Sequence, residues 1–387
     1  MVLLVKSFQK LVRRFSAPLS AHKSGAASQV QATIQRALAA SGIGADSATG
    51  SVQQTIQDAL RQAGLVAPAT GAAPAPDAAD VAHARGDTAP PPAAPGAGGT
   101  TRFTYTGAAG SRAYTLFVPD GLDPDAVDGA PLMLMLHGCT QSPDDFATGT
   151  RMNAVAAAHG VLVAYPEQTP RDNGSRCWNW FRRDDQQRGA GEPAILAGIV
   201  GEIATRHRVD PRRVYVAGLS AGAAMAVILG RTYPERFAAV GAHSGLPFGA
   251  AHDVPGAFAA MQGRGTARVL PTGAADAAPP VPTIVLHGTA DRTVQVDNGR
   301  AIVDDAIAGT AGTPPLQAGA RETLSINGRD VVRTAFRDAQ DQVRVEHVVI
   351  EGAGHTWSGG DPAGSHTDPK GPDASALILE FCLRQSR

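Results

Sequence analysis

The tightest constraint on the fold lies in residues 212–228. A β-type run, Val214, Tyr215 and Val216, leads into Gly218-Leu219-Ser220-Ala221-Gly222, and a helical pattern follows. A strand that turns at once into a helix leaves little room at the turn. Gly218 and Gly222 supply that room by lacking Cβ atoms. Ser220 is then expected to stand free at the head of a helix. There the Ala221 N–H and the positive helix end face any negative charge that develops. This context gives the Gly-x-Ser-x-Gly string its meaning as a nucleophile elbow. Without it, the string would be a glycine-rich turn with a buried serine.

A serine hydroxyl is a poor nucleophile at neutral pH and needs a base beside it. Two partners follow in the chain order Ser, Asp, His. Asp291 ends the segment Pro282-Thr-Ile-Val-Leu-His-Gly-Thr-Ala-Asp291, a buried strand and then a loop. His355 ends Val345-Glu-His-Val-Val-Ile-Glu-Gly-Ala-Gly-His355, which has the same strand-and-loop form. All three sit just past predicted strand ends, where open α/β sheets place their sites. The expected roles are nucleophile for Ser220, general base for His355 and orienting acid for Asp291. Asp297 is the nearest rival acid; His243 and His347 rival His355 but lie within strand-like runs. In the bland alternative, Asp291 caps its turn and His355 is a solvated loop residue.

The surrounding pattern alternates strand and helix. Strands are expected over 103–105, 114–118, 132–136, 161–165, 214–216, 238–243, 283–287 and 343–350, and helices over 150–159, 192–206 and 373–384. Asn327-Gly328 marks a hairpin between 324–326 and 331–336. This order predicts an α/β fold with a mostly parallel central sheet and helices on both faces. His137-Gly138-Cys139 follows the 132–136 strand directly, which makes the Cys139 N–H the second candidate donor to an oxyanion beside Ala221. Cys139 and Cys177 are candidates for a disulfide that would tie the Cys177-Trp-Asn-Trp-Phe181 loop to that turn; geometry decides this. Cys382 reads as a small core residue. Trp178 and Trp357, on loops near the serine, are expected to form apolar walls for a substrate, Trp180 less so.

Lys and Arg number 34 against 35 Asp and Glu, which argues against a nucleic-acid-binding core. No stretch approaches the length of a membrane span. The near-balance conceals an asymmetry, because residues 1–45 contain no acidic residue. Leu4, Phe8, Leu11 and Phe15 recur at helical spacing, with Lys6, Lys10 and Arg13 on another face. This basic amphipathic pattern suits docking on a membrane or polymer-granule surface, or else a frayed terminus. It lacks the apolar centre of a secretory signal, which favours a cytoplasmic location over an extracellular or periplasmic one. A repeat follows: residues 29–42 and 51–64 match at eight of fourteen positions. Residues 1–65 therefore form a helical extension, 66–100 an Ala/Pro/Gly-rich linker, and 101–387 the catalytic domain, opening near Arg102.

Five motifs in order resemble the poly(3-hydroxybutyrate) depolymerase family of esterases, close to the feruloyl and acetylxylan esterases. They are His137-Gly-Cys-Thr-Gln-Ser142, Cys177-Trp-Asn-Trp-Phe181, Gly218-Leu-Ser-Ala-Gly222, His287-Gly-Thr-Ala-Asp291 and Gly354-His-Thr-Trp-Ser-Gly-Gly360. The resemblance implies an α/β-hydrolase fold and carboxylic-ester hydrolysis without cofactor or metal. It makes Ser220, Asp291 and His355 the triad, with Cys139 and Ala221 as oxyanion donors. The N-terminal repeat is similar to the extension of intracellular members rather than to the layout of secreted ones. The expected substrate is a short-chain or hydroxyacyl ester, including polyhydroxybutyrate-type polyester. Three alternatives are a feruloyl- or acetylxylan-type carbohydrate esterase, a serine peptidase, and a particle-binding protein with a vestigial hydrolase fold.

Overall fold

A computed structural model of the protein describes residues 98–122, 129–264, 281–308 and 314–387. The basic stretch, the repeat and residues 66–97 of the expected linker lie outside the described residues. Strand β1 (Gly98–Gly107) already occupies the last three linker positions, so the folded unit begins before Arg102.

The chain enters through an antiparallel pair, β1 and β2 (Gly110–Pro119). It then lays down β3 (Ala130–Leu136), α1 (Pro143–Thr150), α2 (Met152–Ala157) and β4 (Leu162–Pro166). Next come α3 (Gly191–Arg206), β5 (Val209–Leu219), α4 (Ala221–Thr232), β6 (Ala239–His243), α5 (Val254–Met261) and β7 (Thr283–Gly288). The last part comprises α6 (Asp297–Ala308), β8 (Gln317–Ala318), β9 (Glu322–Ile326), β10 (Arg329–Arg337), β11 (Val343–Ile350), β12 (Trp357–Ser358), β13 (Thr367–Asp368) and α7 (Ala374–Leu383). The sheet runs β1-β2-β4-β3-β5-β6-β7-β11-β10-β8, with β9 also on β10. From β4 to β11 every neighbouring pair is parallel.

Parallel strands covered on both faces read as continuous apolar runs, and β3 is such a run. Leu132, Leu134 and Leu136 pack with residues of α3 and α4 on one face. Met133 and Met135 pack with residues of α2 and α7 on the other. The period-2 alternation therefore feeds two cores from one strand. The hairpin at Asn327-Gly328 forms as expected, with both residues at positive φ (46° and 75°). The helix expected over 150–159 is α2, which spans only Met152–Ala157, and α1 ahead of it was not expected. Arg151 takes a left-handed conformation (φ 52°), which ends α1 and starts α2. Helices α5 and α6 were not expected.

The elbow is where the backbone is most crowded. A Cβ on Gly222 would lie 2.0 Å from the Leu136 carbonyl oxygen and 2.6 Å from that of His137. A Cβ on Gly218 would lie 2.5 Å from the Gly222 carbonyl carbon. The head of α4 thus presses directly on the end of β3. Gly222→Ala is expected to destabilise the fold by about 1–3 kcal/mol, the usual cost of overpacking a fixed core. Chemical denaturation of the two proteins checks this; an unchanged midpoint would contradict the contact.

Candidate active site

The site is built on four neighbouring parallel strands. Ser220 follows β5, Asp291 lies three residues beyond β7, and His355 lies five beyond β11. Ser220 has φ 58° and ψ −119°, a conformation that L-residues avoid, held by the two flanking glycines. Its N–H donates to the carbonyl of His243, at the end of β6 (2.9 Å). It caps no helix with its side chain, so the hydroxyl is not spent on the turn.

The Asp291 carboxylate is buried. Its Oδ1 accepts the N–H groups of Thr293 (2.9 Å) and Val294 (2.8 Å). Its Oδ2 lies 2.7 Å from Nδ1 of His355. Burial alone would raise the pKa of this carboxyl. Hydrogen bonds from His287, His355 and Val294 outweigh it and hold the group ionised, well below the usual carboxylate range. An Nδ1–H donated to Asp291 leaves Nε2 of His355 with its lone pair, the tautomer a base requires. Asp297 instead opens α6.

The segment after His355 folds back across the sheet toward the elbow. Trp357 stacks on the His243 ring (5.2 Å, 28°), and the Ser358 N–H donates to His243 Nε2 (3.2 Å). His243 therefore supports both the serine turn, through its carbonyl, and the histidine loop, through its ring. It is fully buried, and that burial pushes its pKa down to about 3. His137 plays a similar part at the turn after β3. Its Nδ1–H donates to the Gly138 carbonyl (2.7 Å) and its Nε2 accepts the Gln168 N–H (3.1 Å). Burial lowers its pKa to about 4. Neither ring is available as a base for Ser220.

The Cys139 amide sits between two that are engaged. Gly138 N–H donates to Gln141 Oε1 (2.9 Å) and Thr140 N–H to the Ser175 carbonyl (2.7 Å). The Ala221 N–H belongs to the first turn of α4, where no intrahelical acceptor exists. Cys139 and Cys177 are joined in a disulfide, and Cys382 is a free buried core residue.

The tryptophans depart from expectation. Trp178 is 0% and Trp357 1% exposed, so neither walls an open substrate surface. Each indole N–H is consumed inside the protein: Trp178 donates to the His137 carbonyl (3.1 Å), Trp357 to Ser375 Oγ (3.1 Å). Both are struts beneath the site.

Sequence reasoning also missed a buried polar cluster behind the disulfide loop. Glu192 accepts from the Asn179 N–H (2.7 Å), the Asn179 side-chain amide (2.8 Å) and Gln168 Nε2. Gln168 Oε1 in turn accepts from Arg112 (2.6 Å), and Gln168 Nε2 also donates to the Cys177 carbonyl (2.9 Å). Burial, and then the neighbouring Asp185, raise the Glu192 pKa to about 7. The one signal for this cluster was Glu192 itself, in the first turn of a mostly apolar helix, and a glutamate there is ordinary.

A serine elbow at the end of β5, with acid and histidine loops beyond β7 and β11, defines an α/β-hydrolase fold. Comparison with solved structures agrees: an acetyl xylan esterase from Aspergillus awamori aligns with a TM-score of 0.53 at 20% identity, over 67% of this chain and 94% of that one. The family described as Esterase PHB depolymerase matches residues 112–309, and the chain belongs to it. Among curated relatives, a poly(3-hydroxyalkanoate) depolymerase C from Paucimonas lemoignei is 39% identical over 145 residues, 37% of this chain and 34% of that protein. A poly(3-hydroxybutyrate) depolymerase from Ralstonia pickettii is 28% identical over 270 residues, 66% of this chain and 54% of that protein. The chain thus spans about a third to a half of these two relatives.

The buried histidines make stability depend on pH. A histidine whose folded pKa is depressed stabilises the fold fully above its unfolded pKa, about 6.5. That contribution is lost as pH falls toward the folded value. Glu192, raised to about 7, works in the opposite sense between about 4.5 and 7. His243→Gln can keep the acceptor for Ser358 N–H but cannot titrate. It is expected to remove stability loss on the order of 4 kcal/mol between pH 7 and pH 3. Parallel denaturation curves at several pH values check this; equal slopes for the two proteins would refute it.

Proposed function

We propose that this protein is a serine-dependent carboxylic-ester hydrolase. It acts through an acyl-enzyme on short-chain or hydroxyacyl esters, including polyester of the polyhydroxybutyrate type. The observation that carries this reading is the 2.7 Å pairing of His355 Nδ1 with the buried Asp291 carboxylate, on a loop folded over the His243 platform beside Ser220.

In the first half-reaction His355 Nε2 takes the Ser220 proton as Oγ attacks the ester carbonyl. The resulting oxyanion faces the N–H groups of Cys139 and Ala221. Collapse breaks the C–O bond, and His355 gives its proton to the departing alkoxide. In the second half-reaction a water, deprotonated by His355, attacks the acyl-serine. Collapse then releases the carboxylic acid and restores Ser220. Asp291 stays ionised throughout and stabilises the imidazolium of each step.

Membership of this family supports the choice of ester over peptide, and the relatives named as polyester depolymerases support a hydroxyacyl substrate. Feruloyl esterases also lie among the relatives, so the reading is drawn at the bond all of these share. The basic amphipathic stretch at residues 4–15 fits the same reading as a dock for an apolar granule or membrane surface. Product analysis on polyhydroxybutyrate, acetylated xylan and feruloyl esters separates the polyester from the carbohydrate alternatives.

Ser220→Ala is expected to abolish hydrolysis of p-nitrophenyl butyrate and covalent labelling by a fluorophosphonate. Retained labelling at another residue would reject the mechanism. Asp291→Asn should keep the fold and lower kcat by about 10⁴, because the amide favours the wrong imidazole tautomer. A loss below tenfold would remove Asp291 from the triad.

A further inference from the structure

Two residues outside the proposed triad share an unusual arrangement beside the Cys139 turn. Thr140, next to Cys139, has φ 66°; His366, on the loop beyond His355, has φ 53°. Both are exposed, and left-handed conformations cost stability for residues other than glycine. Their side chains meet, with His366 Nε2 3.3 Å from Thr140 Oγ1.

The loop around His366 is fixed on both sides. The Asp145 carboxylate accepts from Ser365 N–H (2.8 Å) and Ser365 Oγ (2.6 Å). Gln141 donates to the Ser365 carbonyl (3.0 Å) while accepting from the Gly138 N–H (2.9 Å). The His366 carbonyl accepts from Trp357 N–H (2.7 Å). Gly364 lies flat on Gly149, where a Cβ would come within 2.4 Å of the Gly149 Cα. The protein thus spends many bonds to hold an exposed imidazole beside the oxyanion turn.

The tautomer of that imidazole follows from counting protons. The Thr140 hydroxyl has one proton, and it donates it to the Cys139 carbonyl (2.6 Å). Toward His366 the Thr140 oxygen can only accept, so His366 Nε2 carries the hydrogen. In a neutral ring Nδ1 is then an acceptor, and among the described residues it meets no donor. Partial burial, and then the nearby His355, lower the His366 pKa and favour the neutral ring. Nδ1 of this exposed ring is therefore open to solvent, where a ligand hydroxyl can take the place of water.

We propose that His366 Nδ1 is a specificity contact that accepts a hydrogen bond from a free hydroxyl on the ester substrate. The chain end of a hydroxyacyl oligomer carries such a hydroxyl, as does the sugar of a carbohydrate ester. This rests on the ester-binding reading above, but its test does not require turnover.

The experiment measures ligand binding by NMR titration of the full-length Ser220→Ala protein. The probes are a 3-hydroxybutyrate dimer methyl ester, the same dimer with its hydroxyl methylated, and methyl 2-O-acetyl-xyloside. The free dimer is expected to bind about tenfold more tightly than its methyl ether, the worth of one neutral hydrogen bond. His366→Phe in that background should erase the preference by removing the acceptor. His366→Asn should restore it, since its amide oxygen reaches the Nδ1 position and asparagine tolerates the left-handed backbone. A His366-dependent gain for the xyloside alone would assign the contact to a sugar hydroxyl instead. Equal binding of dimer and ether with no gain for the xyloside, or a preference that survives His366→Phe, would overturn the proposal. Binding of the dimer without hydrolysis by the wild-type protein would sink the esterase reading and leave this contact standing.

Discussion

The steric contact between Gly222 and the carbonyl groups of Leu136 and His137 is the constraint on which the site depends. It sets the head of α4 against the end of β3, so the serine turn and the His137-Gly138-Cys139 turn share one crevice. A single methyl group on Gly222 would separate them. The geometry also leaves Ser220 in a conformation that costs about 1–3 kcal/mol. Fully buried strands on either side, among them all of Leu132–Leu136, over-determine the turn and hold that strain in place.

Beneath this crevice lies a layer of buried histidines, His137, His243 and His287, each at most 1% exposed. Burial lowers the pKa of His137 and His243, which act as spacers with one donor and one acceptor rather than as charges. His243 joins the serine turn to the histidine loop; His137 joins the Gly138 turn to Gln168; His287 Nε2–H donates to the Val294 carbonyl beside Asp291 (2.9 Å). The neutrality of His137 and His243 has an electrostatic consequence. Neither of these two rings adds a buried positive charge that would weaken the pull of the Asp291 carboxylate on the His355 ring. In a medium of low polarity that pull is stronger than it would be in water.

The parts of this arrangement legible in the sequence were those governed by local steric and periodic rules. The apolar runs of β3, β5, β7 and β11 announce buried strands, and glycines two residues either side of Ser220 announce a tight turn. Asp291 and His355 could be placed because each follows such a strand by a few residues. What failed was orientation. Trp178 and Trp357 lie near the site in the chain, but sequence does not say whether an indole points outward or inward, and both turn in toward buried acceptors. The break at Arg151 was hidden because arginine gives no signal for a left-handed conformation. Glu192 was hidden because its partners, Asn179, Gln168 and Arg112, come from three distant segments.

The disulfide and the Glu192 cluster grip the same loop from different sides. Cys177 is bonded to Cys139, and its carbonyl accepts from Gln168, whose side chain also donates to Glu192. The covalent tie limits how far the loop can move from the Cys139 turn but leaves its direction open. The hydrogen bonds fix direction: Glu192 takes the Asn179 main chain and side chain together, and Trp178 between them reaches the His137 carbonyl. Apolar packing alone would not do this, because it is indifferent to small rotations of a loop. The proposed role of Cys139 as a donor to a developing oxyanion would need directional restraints behind it, and directional restraints in a core must be polar and fully partnered. A buried glutamate surrounded by amide donors meets that need at the cost of desolvating a carboxylate.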